Sequence, residues 1–172
     1  MKILKNIVII FLFITCFENY GQKKITQSEI ETKLFLKHFF NNDSLTYYIK
    51  EVGQAENCEK IYSNSFISKK EANYINSLLL NKKKSTYKIS PLPNVKIIID
   101  KEFYKIDKDS ILRNKKNRVL IISKPIFFQK GKFCIFYYKD FFSGLGGSDE
   151  LALYEKSSGI WIKKEEFCTS IN

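Results

Sequence analysis

Lys132-Phe133-Cys134-Ile135-Phe136-Tyr137-Tyr138-Lys139 is the stretch that decides the fold of this 172-residue chain. Successive side chains of a strand point to opposite faces, so Phe133, Ile135 and Tyr137 share one face and Cys134, Phe136 and Tyr138 the other. Neither face suits water. The strand therefore belongs inside a sheet covered on both sides, by helices on one and by another layer or a partner on the other. Lys130-Gly131, between residues 125–129 and 132–139, signals a hairpin. Ser157-Ser158-Gly159, between residues 150–156 and 160–167, signals a second.

Working back toward the N-terminus, residues 119–123 and 95–99 read as further strands. The charged stretch 100–117 reads as a long excursion with one helical turn. Ser68-Lys69-Lys70-Glu71 is a capping box, in which hydroxyl and carboxylate each satisfy a free N–H at a helix start. It opens a helix to residue 80 with Ala72, Ile75, Leu78 and Leu79 as its apolar stripe. The cations Lys82, Lys83 and Lys84 complement the negative end of that helix dipole. Ser28-Glu29-Ile30-Glu31 reads as an earlier capping box for a helix to residue 40. Its expected buried stripe is Ile30, Leu34 and His38, flanked by Phe35 and Phe39. Asn41-Asn42-Asp43-Ser44 is turn chemistry. Residues 45–52 suit a strand or a helix, and 61–67 suit a short strand. The expectation is an α+β domain: two N-terminal helices packed on an antiparallel sheet of about five or six strands, formed mainly by the C-terminal half.

Ahead of this lies a leader. Lys2 and Lys5 precede the apolar run Ile7-Val8-Ile9-Ile10-Phe11-Leu12-Phe13-Ile14-Thr15-Cys16-Phe17, and a polar, Lys-rich chain follows Gly21. That order builds a secretory signal peptide, and the run is short for a permanent span of roughly 30 Å of hydrocarbon. Cleavage after Gly21 would leave residues 22–172 as a soluble exported domain, periplasmic or secreted. The alternative is lipidation of Cys16 and a membrane-anchored form, although Phe13-Ile14-Thr15 fits a lipoprotein signal poorly. Contact with membrane is expected only through the leader or an acylated Cys16.

The formal charge of +11 comes from 27 Lys and only 2 Arg, alongside 24 Ile and 13 Asn. Bidentate recognition of phosphates and bases favours the guanidinium, so this excess reads as a solvated lysine surface and argues against nucleic acid. An envelope protein or an anionic glycan is the partner class left open. Of the 4 cysteines, Cys134 sits in the apolar strand as a small hydrophobe. Cys58 and Cys168, in polar surroundings, are the preferred disulfide pair in an oxidising compartment; closing that loop contributes about 4 kcal/mol on the chain-entropy account.

No catalytic set converges in the sequence. His38 is a lone helix histidine, and no CxxC or HExxH spacing suggests a metal or other cofactor. Asp107-Lys108-Asp109 lacks the glycine and terminal Glu of a calcium loop. The adjacent pairs Asp149/Glu150 and Glu165/Glu166 point to opposite strand faces. Ser143-Gly144-Leu145-Gly146-Gly147-Ser148 is not a P-loop, because Asp149-Glu150 and a β-type run follow it. Together with Phe141 and Phe142 it is the expected binding loop of a non-catalytic protein- or glycan-binding domain. The competing reading is a hydrolase or transferase built from Asp140, Ser143, Ser148 and Asp149.

Ser123-Lys124-Pro125-Ile126-Phe127, Gly131-Lys132-Phe133 leading to Tyr137-Tyr138, the loop Gly144 to Ser148, and Gly159-Ile160-Trp161 form a pattern. With Ser68-Lys69-Lys70-Glu71, it resembles small exported proteins and lipoproteins of AT-rich Gram-negative bacteria. In that pattern the loop often reads CGxLCGxG; Ser143 and Gly146 stand at its cysteine positions, so a loop disulfide is absent. The resemblance implies export and the C-terminal sheet, and supplies no catalytic residues.

Mass spectrometry of the N-terminus of exported protein is expected to find Gln22 first. An N-terminal, acylated Cys16 would establish the anchored form instead.

Overall fold

The computed structural model describes residues 26–42, 44–52, 60–79, 92–98, 100–142 and 146–171. The leader, Cys16, Cys58, Lys82 to Lys84 and Ser143 to Leu145 lie outside the described residues. The chain divides into two units, 1–30 and 31–172, a division that falls inside the first helix.

Helix α1 (Gln27–Phe39) starts two residues earlier than the sequence suggested. The capping box is Thr26-Gln27-Ser28-Glu29, which fits the same pattern as Ser28 to Glu31. Thr26 Oγ1 accepts from the Glu29 N–H at 3.2 Å, and Glu29 Oε2 accepts from the Thr26 N–H at 2.8 Å. Glu31 is thereby left inside the helix, where its Oε2 accepts from Lys156 Nζ at 2.8 Å. The buried stripe is also rotated from the expected one. Thr32, Phe35, Leu36 and Phe40 are buried, whereas Ile30 and Leu34 are 42% and 47% exposed and His38 is half-buried.

Seven strands form one sheet in the order β2-β1-β3-β5-β6-β7, with β4 added beside β5. They are β1 (Thr46–Val52), β2 (Val95–Ile97), β3 (Asn117–Ser123), β4 (Ile126–Phe128), β5 (Phe133–Phe141), β6 (Gly147–Ser157) and β7 (Ile160–Ile171). The expectation of an antiparallel sheet holds for β3 to β7 only. Strand β1 runs parallel to both of its neighbours, β2 and β3, so the sheet is mixed. Parallel neighbours need long crossovers. The first contains α2 (Lys69–Leu79), and the second contains the short helices α3 (Asp100–Phe103) and α4 (Lys108–Leu112). The excursion 100–117 thus holds two helical pieces rather than one turn.

Residues 61–67 do not form the expected strand. Ile61 and Ile67 are buried as irregular chain, held by side-chain amides. Asn76 of α2 accepts from the Ile61 N–H at 2.9 Å and donates to its carbonyl at 2.8 Å, occupying the groups a neighbouring strand would use. Asn64 Oδ1 accepts from the N–H groups of Phe66 and Ile67. The Ser68–Glu71 capping box that follows is present: Ser68 Oγ accepts from the Glu71 N–H at 3.3 Å, and Glu71 Oε2 from the Ser68 N–H at 2.9 Å.

The two-faced burial expected of β5 is observed. On one face Cys134 and Phe136 pack with Tyr47, Ile49, Ile122 and Trp161 beneath α1. Phe35 is the hub of that layer, with ring centroids 5.0 Å from Phe136 and 5.3 Å from both Tyr154 and Trp161. On the other face Phe133, Ile135 and Tyr137 pack with Ala72 and Ile75 of α2 and with Ile61 and Ile67. A third cluster, Phe103, Leu112, Val119 and Ile121, sits under α3 and α4. Cys134 is a buried free thiol, and burial pushes its pKa well above the usual range.

Both expected hairpins form. In the second, Ser158 and Gly159 have φ of 49° and 82°, the paired positive values that a two-residue turn matching strand twist requires. Strands β3 and β4 are in effect one neighbour of β5, broken at Ser123-Lys124-Pro125. At that break Ser123 Oγ accepts from the buried Tyr137 N–H at 3.1 Å, replacing the missing ladder partner. Replacing Ser123 with Ala should strand that N–H and cost about 1–3 kcal/mol in urea unfolding, with the slope of the transition unchanged.

Candidate functional site

Helix α1 covers only part of its sheet face. Beyond Phe39 and Phe40 the same face changes from apolar to polar. Antiparallel register places Tyr138 opposite Glu150 and Glu150 opposite Thr169, while Asp140 stands opposite Ser148 one step along. Arg118 is the register partner of Tyr47 on the next strands. These groups form a patch running from β1 to β7.

Strand β7 reaches this patch through two irregularities. Its register against β6 shifts between Leu151 and Ala152 and again between Leu153 and Tyr154. Each extra residue resets the alternation. Lys163, Glu166 and Thr169, spaced by three, consequently share a face that strict alternation would deny them. Glu165 falls on the opposite side, where it accepts from Asn64 Nδ2 at 2.6 Å.

Glu150 is the centre of the patch. Its Oε2 accepts from the Tyr138 hydroxyl at 3.1 Å and from Lys163 Nζ at 3.2 Å. Lys163 also donates to Glu166, whose other oxygen accepts from the Thr169 hydroxyl at 3.1 Å. The hydrogen bond to Glu166 raises the Lys163 pKa and the same bond lowers that of Glu166. Two acceptors are left over: Glu150 Oε1 and Asp140 Oδ1 are shielded from solvent and accept no hydrogen bond among the described residues. Burial raises the Asp140 carboxyl above its ordinary range, against the opposing charge of Arg118. Burial, then the Glu150 charge, pushes the Tyr138 phenol up to about 12.

The expected loop residues divide. Phe141 is half-buried, its ring 5.9 Å from Phe103 at the edge of the third cluster. Phe142 is 43% exposed and its N–H donates to the Gly146 carbonyl at 2.9 Å. Gly147 is already strand. A Cβ there would meet the Asp140 carbonyl oxygen at 2.8 Å, so the close approach of β5 and β6 demands glycine. Of the alternative catalytic set, Asp140 and Ser148 share the polar patch, but Asp149 points to the opposite face, where the Ser170 hydroxyl donates to it.

Sequence reasoning missed Tyr138, Arg118, Lys163, Glu166 and Thr169. Counting outward from the glycine loop in antiparallel register would have paired Tyr138 with Glu150; nothing local marks the β7 bulges. Cys168, on β7, is disulfide-bonded, and Cys58, its expected partner, lies outside the described residues. Among the described residues no group of three or more His, Cys, Asp or Glu could hold a metal ion, and no helix is long and apolar enough to cross a membrane. Comparison with family models, curated proteins and solved structures found no match.

Because the folded state holds the Tyr138 proton more tightly than the unfolded chain does, its contribution to stability is complete below pH 10. It is lost as pH rises toward about 12. Ultraviolet titration of phenolate should show one tyrosine ionising near that value, and Glu150→Gln should bring it lower by removing the nearby negative charge.

Proposed function

We propose that this chain is an exported, non-catalytic domain that binds a glycan of the cell envelope on the polar patch around Glu150. The observation that supports this most is the pair of unsatisfied carboxylate oxygens, Glu150 Oε1 and Asp140 Oδ1, beside the Tyr138 ring. A buried acceptor without a donor costs about 1–3 kcal/mol, and a ligand hydroxyl delivered to it recovers that loss. Sugars bring many hydroxyls, together with C–H faces that pack on an aromatic ring. Lys163 is already paired with Glu150 and Glu166, so the patch offers acceptors rather than free positive charge and suits the hydroxyls of a neutral glycan better than the acidic groups of a charged one. Export rests on the leader, and a disulfide at Cys168, with Cys58 as the proposed partner, belongs with it, since thiols persist as such in reducing compartments. Anchoring through Cys16 is the alternative form of the same molecule.

A second reading shares the ligand class. Asp140 and Glu150 lie on one face of adjacent strands, and burial raises the Asp140 carboxyl. A raised acid beside a second carboxylate is the pairing that glycoside hydrolysis uses.

An array of neutral and acidic oligosaccharides should capture the wild-type protein, and Glu150→Gln should weaken capture at least tenfold with an unchanged circular-dichroism melt. Absence of capture, or capture indifferent to Glu150→Gln, rejects the glycan reading and leaves a protein partner as the class to test. Release of reducing ends that is lost in both Asp140→Asn and Glu150→Gln would replace binding by hydrolysis.

A further inference from the structure

A second site lies on the opposite face of the sheet, at its β2 edge, and owes nothing to the glycan reading. Tyr48 of β1 and Lys96 of β2 are parallel register partners, and Lys96 Nζ sits 5.0 Å from the Tyr48 ring centroid and 3.4 Å from its hydroxyl. Ile98 continues the line, its N–H donating to the Ile49 carbonyl at 2.8 Å. Facing them, the turn between α3 and α4 presents Ile106, and α4 presents Ile111. Between these walls is a cavity of about 450 Å³. That volume lies within the roughly 300–1,000 Å³ of small-molecule sites.

The chemistry of the cavity is divided. Tyr48, Ile98, Ile106 and Ile111 are half-buried and rest on the cluster of Phe103, Leu112, Val119 and Ile121, so the floor is apolar and firmly backed. Among the described lining residues the charged ones stand at the mouth: Lys96, Lys105 and Glu102, all exposed. The two cations outnumber the one carboxylate, and neither lysine has an ion-pair partner among the described residues. Some lysines of β7 do have such partners, Lys163 in Glu150 and Glu166 and Lys164 in Glu155.

We propose that this cleft binds a small apolar molecule bearing one carboxylate, its hydrocarbon part on the Tyr48–Ile98–Ile106–Ile111 floor and its carboxylate between Lys96 and Lys105. Apolar burial supplies affinity at about 25 cal/mol per Å². The lysines supply orientation and select the sign of the head group. A neutral ligand of the same shape forgoes those charge-assisted bonds, and a cationic one meets repulsion.

The test is isothermal titration of the full exported chain with laurate, dodecanol and dodecyltrimethylammonium, which share a chain and differ in charge. Laurate should saturate at one site, the other two should bind at least tenfold more weakly, and Lys96→Gln with Lys105→Gln should weaken laurate at least tenfold. Methyl resonances of Ile98, Ile106 and Ile111 should shift on loading, and Ile111→Trp, which fills the cavity, should abolish it. Dodecanol binding as tightly as laurate, or laurate indifferent to the double lysine change, overturns the assignment of the head group. No saturable laurate binding overturns the site. If the variants fail to fold, the comparison of the three ligands on wild-type protein decides alone.

Discussion

Strand β5 has no face that can meet water, and the rest of the architecture follows from covering both. Phe136 needs a lid on one side and Tyr137 on the other, and a single helix cannot supply both. The chain answers with α1 on one face and α2, α3 and α4 on the other. Phe35 is where the first lid engages, edge-on to Phe136, Tyr154 and Trp161. Aromatic pairs in such geometry are worth about 0.5–1.5 kcal/mol beyond the area they bury. They also fix the rotation of the helix, which explains why Leu34 is left outside.

Covering the sheet is incomplete at both ends, and the two candidate sites lie where coverage stops. Past the C-terminal end of α1, the face that held Phe136 carries Tyr138, Asp140 and Glu150 instead. Past the last turn of α4, the opposite face opens over Tyr48. The contrast between the sites is chemical. One offers buried carboxylate oxygens in need of donors and the other an apolar floor rimmed by cations, so each would reject the ligand that suits the other. The lysine excess that reads as uniform solvated charge in the sequence is therefore distributed unevenly in space. Some lysines are consumed in pairs such as Lys156 with Glu31, while Lys96 and Lys105 stand over a cavity.

Much of the sheet was legible because its signals are local. Six consecutive apolar residues fix β5 as a buried strand, and Lys130-Gly131 and Ser158-Gly159 fix the hairpins through the backbone angles those turns require. The Ser68 capping box was legible for the same reason. The first helix shows the limit of such signals. Thr26 to Glu29 and Ser28 to Glu31 satisfy one motif equally, and only the packing of Phe35 and the ion pair of Glu31 decide between them. Residues 61–67 look like a strand because Ile61 and Ile67 are buried, but it is the amides of Asn76 and Asn64 that claim their backbone groups.

By itself, then, the sequence determined the class of fold, the position of the hairpins, the double-sided burial of β5 and the burial of Cys134. These depend on neighbours within a few residues and on the period-two alternation of a strand. Tertiary structure alone decided that β1 runs parallel to its neighbours, that Lys163, Glu166 and Thr169 share a face, and that Lys96 stands over Tyr48. Pairing partner, bulge position and helix rotation are settled by contacts between residues tens of positions apart, and a strand carries no local mark of the neighbour it will find.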